Sequence, residues 1–257
     1  MARHGEQRGW YGKLIGGGAR RDTAATGAFG VDCAGRCRER VVASGEGPRL
    51  QRGVKRVAAS IAHASDAGER GVNITIDDGP DPVWTPQVLD VLRSTGVKAT
   101  FCMVGTQAQA HPDLVKKVVA AGHRLCDTPC RTTRPWTRSP SPTSRGRSCD
   151  AERMITKASG GVRPMYYRAP RRSRSPPTAV TSPPPRGMRP LGWNVDTKDF
   201  EQPGTDAIVA TVQEELPNGP TLLFHDAGGD RTQTARGPAP AAPQLKQQGY
   251  SFGFPVR

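Results

Sequence analysis

The fold of this chain is decided by "GVNITIDDGPDPVWTPQVLDVL", residues 71–92. "VNITID" alternates β-branched and polar side chains, which is the pattern of a strand. It runs into two adjacent aspartates, Asp77 and Asp78, and then a Gly-Pro turn. "TPQVLDVLRSTG" follows with helical spacing. Thr85 reads as its N-cap, Pro86 as its first helical residue and Gly96 as the residue just past its end. Neighbouring carboxylates repel each other, and such a pair persists where a cation or a proton sits between them. The stretch predicts a strand–helix unit with charged chemistry at the strand's C-terminal end.

The alternation continues outward. "KATFCMVG" reads as a second buried strand, "HPDLVKKVVAAG" as a helix and "HRLCD" as a third strand. "DAERMITKAS" and "TDAIVATVQEEL" read as helices. "MYYRAP", "LGWNVD", "TLLFHD" and "YSFGFPV" read as strands. Strand and helix alternate about seven times, which predicts an α/β fold, a mostly parallel sheet with outer helices, open or closed into a barrel. In such folds functional groups gather at the C-terminal ends of strands. Asp77, Asp78, Asp127, Arg168, Asp196 and His225 all fall there, so residues far apart in sequence can converge on one face. His111 opens a helix and His123 begins a strand; both read as structural.

Residues 1–55 are Gly/Arg-rich without a sustained period and read as an irregular basic extension, leaving 56–257 as the folded domain. The net charge of +14 invites a nucleic-acid reading. However, the arginines cluster in Pro/Ser/Gly-rich stretches, and an aromatic content of 5% provides no basic helix with interleaved rings. No nucleic-acid partner is expected. No apolar run reaches the length of a membrane span, and no uninterrupted apolar segment follows the basic N-terminus, so neither a span nor a signal peptide is recognisable. The C-x3-C spacings at Cys33/Cys37 and Cys126/Cys130 are not those of a zinc ribbon.

Three stretches interrupt the alternation. Residues 127–148 hold four Pro and five Arg, and residues 171–190 hold six Pro and five Arg, compositions that do not form a packed helix. Residues 234–243, "TARGPAPAAP", are similar.

"TIDDGPD", "YYRAP", "LGWNVDTKDF" and "TLLFHD", in that order and at strand ends, resemble the motifs of the polysaccharide deacetylases with a NodB-homology domain (carbohydrate esterase family 4). The resemblance runs from about residue 57 to 257 and is strongest over 71–126. It implies a distorted (β/α) barrel of about seven parallel strands and a metal-dependent hydrolase that removes N-acetyl or O-acetyl groups from a glycan such as a chitin oligomer, peptidoglycan or xylan. In it Asp77 is the general base, Arg168 orients that base, and Asp78 ligates a divalent metal, commonly zinc. His225 is the general acid, tuned by Asp196, and Trp193 and Leu223 line the acetyl pocket. The metal would polarise the acetyl carbonyl and lower the pKa of a bound water. The resemblance also implies an exported or wall-associated monomer. Export would permit a bridge between Cys102 and Cys126, which end neighbouring predicted strands, although two buried thiols fit equally.

The departure lies after the third strand. The family supplies two further metal ligands from His-(Ser/Thr)-x-x-His, whereas this chain reads "CDTPCRTT", with Thr128 and Thr132 in the histidine positions. A catalytic zinc takes three protein ligands, so the site as written is incomplete. The genetic code offers an account. Thr-Pro-Cys-Arg-Thr, shifted by one base, becomes NAC-NCC-NTG-YCG-NAC, which permits His-Thr-Val-Ser-His. Compensated frameshifts in GC-rich coding sequence would explain both Pro/Arg-rich stretches and much of the excess charge. The alternative is a catalytically inactive basic binding protein on a deacetylase scaffold.

Overall fold

The computed structural model describes residues 60–128, 143–168, 187–236 and 238–257, with the backbone alone for 143–150 and 238–240. In chain order the elements are β1 (Gly71–Asp77), α1 (Trp84–Thr95), β2 (Ala99–Val104), α2 (Gly105–Ala110), α3 (Pro112–Ala120), β3 (Arg124–Thr128), α4 (Thr143–Ala158), β4 (Tyr166–Arg168), β5 (Arg189–Leu191), β6 (Val195–Asp196), α5 (Thr205–Glu215), β7 (Thr221–His225), α6 (Thr232–Arg236), α7 (Pro238–Gln247) and β8 (Ser251–Gly253). The strands run in the order β5-β4-β3-β2-β1-β7-β6, with β8 also on β1, and every pairing is parallel. This is the expected distorted (β/α) barrel.

β1 is buried along its whole length, as a strand covered on both faces must be. Val72, Ile74 and Ile76 join Leu92, Phe101, Val115, Leu125, Ile208 and Leu245 in the larger core, beneath the helices. Burying each such side chain contributes about 1.5–3 kcal/mol. The alternate residues Asn73, Thr75 and Asp77 carry the polar side of the strand. Asn73 Nδ2 donates to Thr221 Oγ1 (3.0 Å) and Thr75 Oγ1 donates to Leu222 O (2.7 Å). Ala62, Cys102, Cys126, Tyr166 and Leu191 form a second, smaller cluster.

The segment before β1 links β5, at one end of the strand order, to β7, next to the other end. Ala62 pairs with Leu191 of β5, and His63 O accepts from Thr221 Oγ1 of β7 (2.7 Å). Cys102 and Cys126 are register partners on β2 and β3 and form a disulfide, which decides between the two readings left open by the sequence.

Several local expectations are corrected. Thr85 lies inside the first turn of α1, and Asp81 Oδ1 instead takes the N–H groups of Val83 (2.8 Å) and Trp84 (3.0 Å). "LGWNVD" is not one strand. β5 ends at Leu191 and β6 begins at Val195, and the two lie at opposite ends of the strand order, because Gly192–Asn194 turn the chain across the barrel. α4 reaches back to Thr143, into the stretch read as non-helical. The proline-rich 234–243 region carries α6 and α7, since burial of Ala241, Ala242 and Leu245 outweighs the break at Pro243. The remaining parts of the first two proline-rich stretches, and residues 1–59, lie outside the described residues.

Candidate active site

Asp77 ends β1 and His225 ends β7, and the two are direct register partners. Adjacent strands lie about 4.8 Å apart, so a carboxylate and an imidazole separated by 148 residues in sequence are held as neighbours by the sheet alone.

Asp77 is buried and gripped by Arg168, the last residue of β4. Arg168 Nε lies 3.0 Å from Oδ2, and its terminal nitrogen lies 3.1 Å from Oδ1. The rest of the guanidinium is spent on Thr75 Oγ1 (2.6 Å) and Gly192 O (2.8 Å), and its flat face lies 5.3 Å from the Trp193 ring. Arg168 is thereby fixed in one orientation. Burial pushes the Asp77 carboxyl above the usual carboxylate range, with Arg168 pulling against it. A carboxylate so placed is a stronger base than one in water.

Asp78 sits on the turn that follows, with φ of 77°. Its N–H donates to Cys102 O (3.1 Å), and Val104 N–H donates to Gly79 O (2.9 Å), so β2 braces the turn. On the other side Asp226, fully buried, accepts from Thr85 Oγ1 (2.5 Å) and donates its N–H to Asp77 O (3.1 Å). A side chain at Gly79 would overlap the Asp226 carboxylate, so the turn needs glycine there. Burial, with the charges of Asp78, Asp77 and Asp81, pushes Asp226 up to about 7 against the Thr85 hydrogen bond.

The carboxylate on His225 is Asp199, which corrects the expectation that Asp196 would tune it. Asp199 Oδ1 lies 2.8 Å from His225 Nδ1, and Oδ2 accepts the His225 N–H at 2.8 Å. The reason is register. Asp196 pairs with Leu223, two residues short of His225, and its Oδ1 accepts from Lys198 N–H (3.2 Å). The chain then turns through Lys198 (φ 50°) into the 3-10 turn Asp199–Glu201, which reaches His225. Burial lowers the His225 pKa, but the hydrogen bond and charge of Asp199, helped by Asp77 and Asp78, raise it above the usual histidine value. For Asp199 burial acts upward, and the hydrogen bonds and charge of His225 with the Thr234 hydroxyl outweigh it, leaving Asp199 low. The pair is biased toward imidazolium and carboxylate.

Leu223 lies two residues before His225, on the same side of β7, and is buried. Trp193 sits against Arg168, and the ring of Phe200, which is exposed, lies edge-on to the imidazole at 5.4 Å. Asp199 and Phe200 stand in the same "LGWNVDTKDF" segment, one turn further on than the residues chosen from sequence. Asp226 follows His225 directly, and only its burial marks it.

The barrel thus brings an arginine-held carboxylate and an aspartate-held histidine together on neighbouring strand ends. Residues 64–182 match the family model described as polysaccharide deacetylase. The chain is 35% identical, over 72% of its length and 85% of the relative's, to a peptidoglycan-N-acetylglucosamine deacetylase of Bacillus cereus. It is 32% identical, over 72% of its length and 89% of the relative's, to a chitooligosaccharide deacetylase of a Bradyrhizobium species. It also superposes with a TM-score of 0.65 and 26% identity on the crystal structure of a peptidoglycan N-acetylglucosamine deacetylase, covering 76% of this chain and 90% of that one. The chain belongs to the polysaccharide deacetylase family, which is a family of hydrolases.

The metal that this family implies does not fit the described residues. Among them no three His, Cys, Asp or Glu side chains come together to hold an ion. Asp78 is a single carboxylate, and His225 already engages Nδ1 with Asp199. Thr128, where a histidine would fall, is buried at the end of β3 with its hydroxyl unpartnered among the described residues. A neutral hydroxyl is a poor zinc ligand. Thr132 lies outside the described residues.

Proposed function

We propose that this chain is a glycan deacetylase whose acid–base machinery is complete and whose metal site is not, so that turnover by the sequence as written is severely reduced. The observation that carries the proposal is the β1–β7 register. It sets Asp77, with Arg168, directly beside His225, with Asp199.

Asp77 takes a proton from the attacking water as it adds to the acetyl carbonyl. His225, as imidazolium, gives a proton to the departing amine, and acetate and a free amino sugar result. Arg168 fixes the base, and Asp199 fixes the acid. Leu223 and Phe200 wall the space beside His225, where an acetyl methyl fits, with Trp193 backing Arg168. Polarising the carbonyl is the remaining part of the chemistry, and no group among the described residues completes a site for it.

The relatives' names support an N-acetylated glycan, of chitooligosaccharide or peptidoglycan type, as substrate. Such a polymer supports a location outside the cell or at its wall. Among the described residues no helix is long and apolar enough to cross a membrane.

The test compares the chain as written with one carrying Thr128→His, Pro129→Thr, Cys130→Val, Arg131→Ser and Thr132→His, and with the gene resequenced across codons 120–190. Acetate release from N-acetylglucosamine oligomers is expected to be marginal before the change and zinc-dependent after it, with zinc affinity by calorimetry rising by orders of magnitude. Normal zinc-dependent acetate release by the unaltered chain would overturn the reading of an incomplete site. Absence of zinc binding in the altered chain, with no effect of Asp78→Ala, would favour a basic binding protein on this scaffold.

A further inference from the structure

We propose that Thr234, on α6, is a positioning residue that fixes the ring orientation and tautomer of His225 by holding the carboxylate of Asp199. The inference rests on the reading of His225 as proton donor, but its test does not require turnover.

Asp199 is almost fully buried, so every donor it meets comes from the protein. Oδ1 faces His225 Nδ1 (2.8 Å), while Oδ2 accepts from His225 N–H (2.8 Å) and from Thr234 Oγ1 (2.5 Å). A carboxylate held at one oxygen can still swing about its own bond. With two donors on Oδ2 its plane is set, and Oδ1 is left in line with the imidazole. Neutral His225 then keeps its hydrogen on Nδ1 and presents Nε2 for proton transfer, since the bond made at one ring nitrogen decides which nitrogen is protonated.

The chain is built to bring Thr234 there. After His225 it runs through Ala227–Asp230, where Gly228 and Gly229 have positive φ. Arg231 is buried, and its guanidinium donates to Ala227 O (2.8 Å), Gly228 O (3.1 Å) and Asp230 O (3.2 Å), closing the loop on itself. Asp230 Oδ1 accepts from Thr232 N–H (2.8 Å) and starts α6. Gln233 Oε1 accepts from Gly204 N–H (2.7 Å), tying α6 to the segment beyond Phe200. The loop that leaves His225 therefore returns to the carboxylate that orients it.

The experiment is long-range proton–nitrogen NMR of ¹⁵N-histidine-labelled full chain, at a pH where His225 is neutral, on wild type, T234V, T234S and D199A. Wild type should show His225 as the Nδ1–H form alone, and D199A should lose that signal in favour of Nε2–H. T234V should show a mixture, and T234S should retain the wild-type spectrum. R231K keeps the charge but has one nitrogen in place of the three that meet separate carbonyls, and it should give the T234V mixture with the threonine still present. If T234V does not fold, T234A makes the same comparison. A wild-type spectrum in T234V or T234A would overturn the proposal, as would a T234S that behaves like T234V, since the methyl and not the hydroxyl would then matter. Acetate release by the repaired chain tests the deacetylase reading separately, so the two can fail independently.

Discussion

His123 should make this fold acid-sensitive by an amount that the structure allows to be worked out. The ring is buried, accepts the Ala99 N–H at Nδ1 (3.1 Å) and lies edge-on to Phe101 at 5.2 Å. It ties the start of β2 to the residue before β3 and can do so only while Nδ1 has a free lone pair. Burial, with the charge of Lys98, lowers it from 6.5 to about 4. At about 1.4 kcal/mol per pKa unit that drop corresponds to roughly 3 kcal/mol. The sign follows from which state takes the proton first. The unfolded chain protonates His123 at the ordinary value while the folded protein keeps it neutral. Its contribution is therefore whole above pH 6.5, falls as pH drops, and is gone below about 4. His123→Asn supplies a side-chain oxygen for Ala99 and does not titrate. Loss of the Phe101 contact should make the variant less stable near neutrality by about 1 kcal/mol. Urea unfolding of both proteins between about pH 7 and pH 4 should then show wild type losing about 3 kcal/mol more than the variant across that window. Asp127 and Asp226 titrate in both proteins and cancel in the difference. Parallel stability curves would refute the reasoning.

The remaining predictions concern the site. Reducing the Cys102–Cys126 bridge, which spans 24 residues, should lower stability by about 3 kcal/mol, read as a drop in urea midpoint; an unmoved midpoint would mean that no bridge forms. Arg168→Met leaves Asp77 buried without its cation and should lower stability by about 3–5 kcal/mol by the same measurement, whereas a loss under about 1 kcal/mol would contradict the buried pairing. Asp199→Asn in the repaired chain should reduce acetate release by roughly a hundredfold or more and also lower stability by about 1–3 kcal/mol, because the amide cannot accept all three buried donors, while Asp196→Asn should leave release near its starting rate.

Much of this arrangement was legible in the sequence because it follows from period and position. The strand pattern of 71–77 and the helix signals after it placed Asp77 and Asp78 at a strand end, and a parallel barrel brings strand ends together. Asp77, Arg168 and His225 needed only that rule. Asp199 did not obey it. It lies past the end of β6, in a turn made by a left-handed Lys198, and backbone conformation of that kind leaves no periodic trace. From sequence, Asp196 at the strand end was the better candidate, and only the register with Leu223 shows that it stops short. Thr85 was misread for a related reason. A threonine before a helical pattern suits a cap, but here its hydroxyl links Asp81 N–H to Asp226, a partner 141 residues away. α6 and α7 were hidden by proline content, because local propensity was the only guide and tertiary burial of Ala241, Ala242 and Leu245 decided otherwise.

The same geometry bears on the proposal that the metal site is incomplete. Asp77, Arg168 and His225 come from the ends of β1, β4 and β7. The two further ligands that the family resemblance implies would fall at and after the end of β3. Cys126 bonds to Cys102, whose register partner is Asp77, so Cys126 lies on the side of the sheet that faces the site. Side chains alternate along a strand, so Thr128 falls on that side as well and Asp127 on the other. Burial and the charge of Glu152 push Asp127 up to about 8, as suits a carboxylate turned toward the helix layer. The backbone thus brings position 128 to the side of the sheet that carries Asp77, and the residue there is a threonine. Losing either half of the buried Arg168–Asp77 pair costs stability, whereas a ligand that stabilises only when metal is bound can change without that cost. The intact pair is therefore expected on either account, whereas the conversion of residues 128–132 to His-x-x-x-His by a one-base shift is expected only of the proposed altered reading frame, which resequencing across codons 120–190 tests.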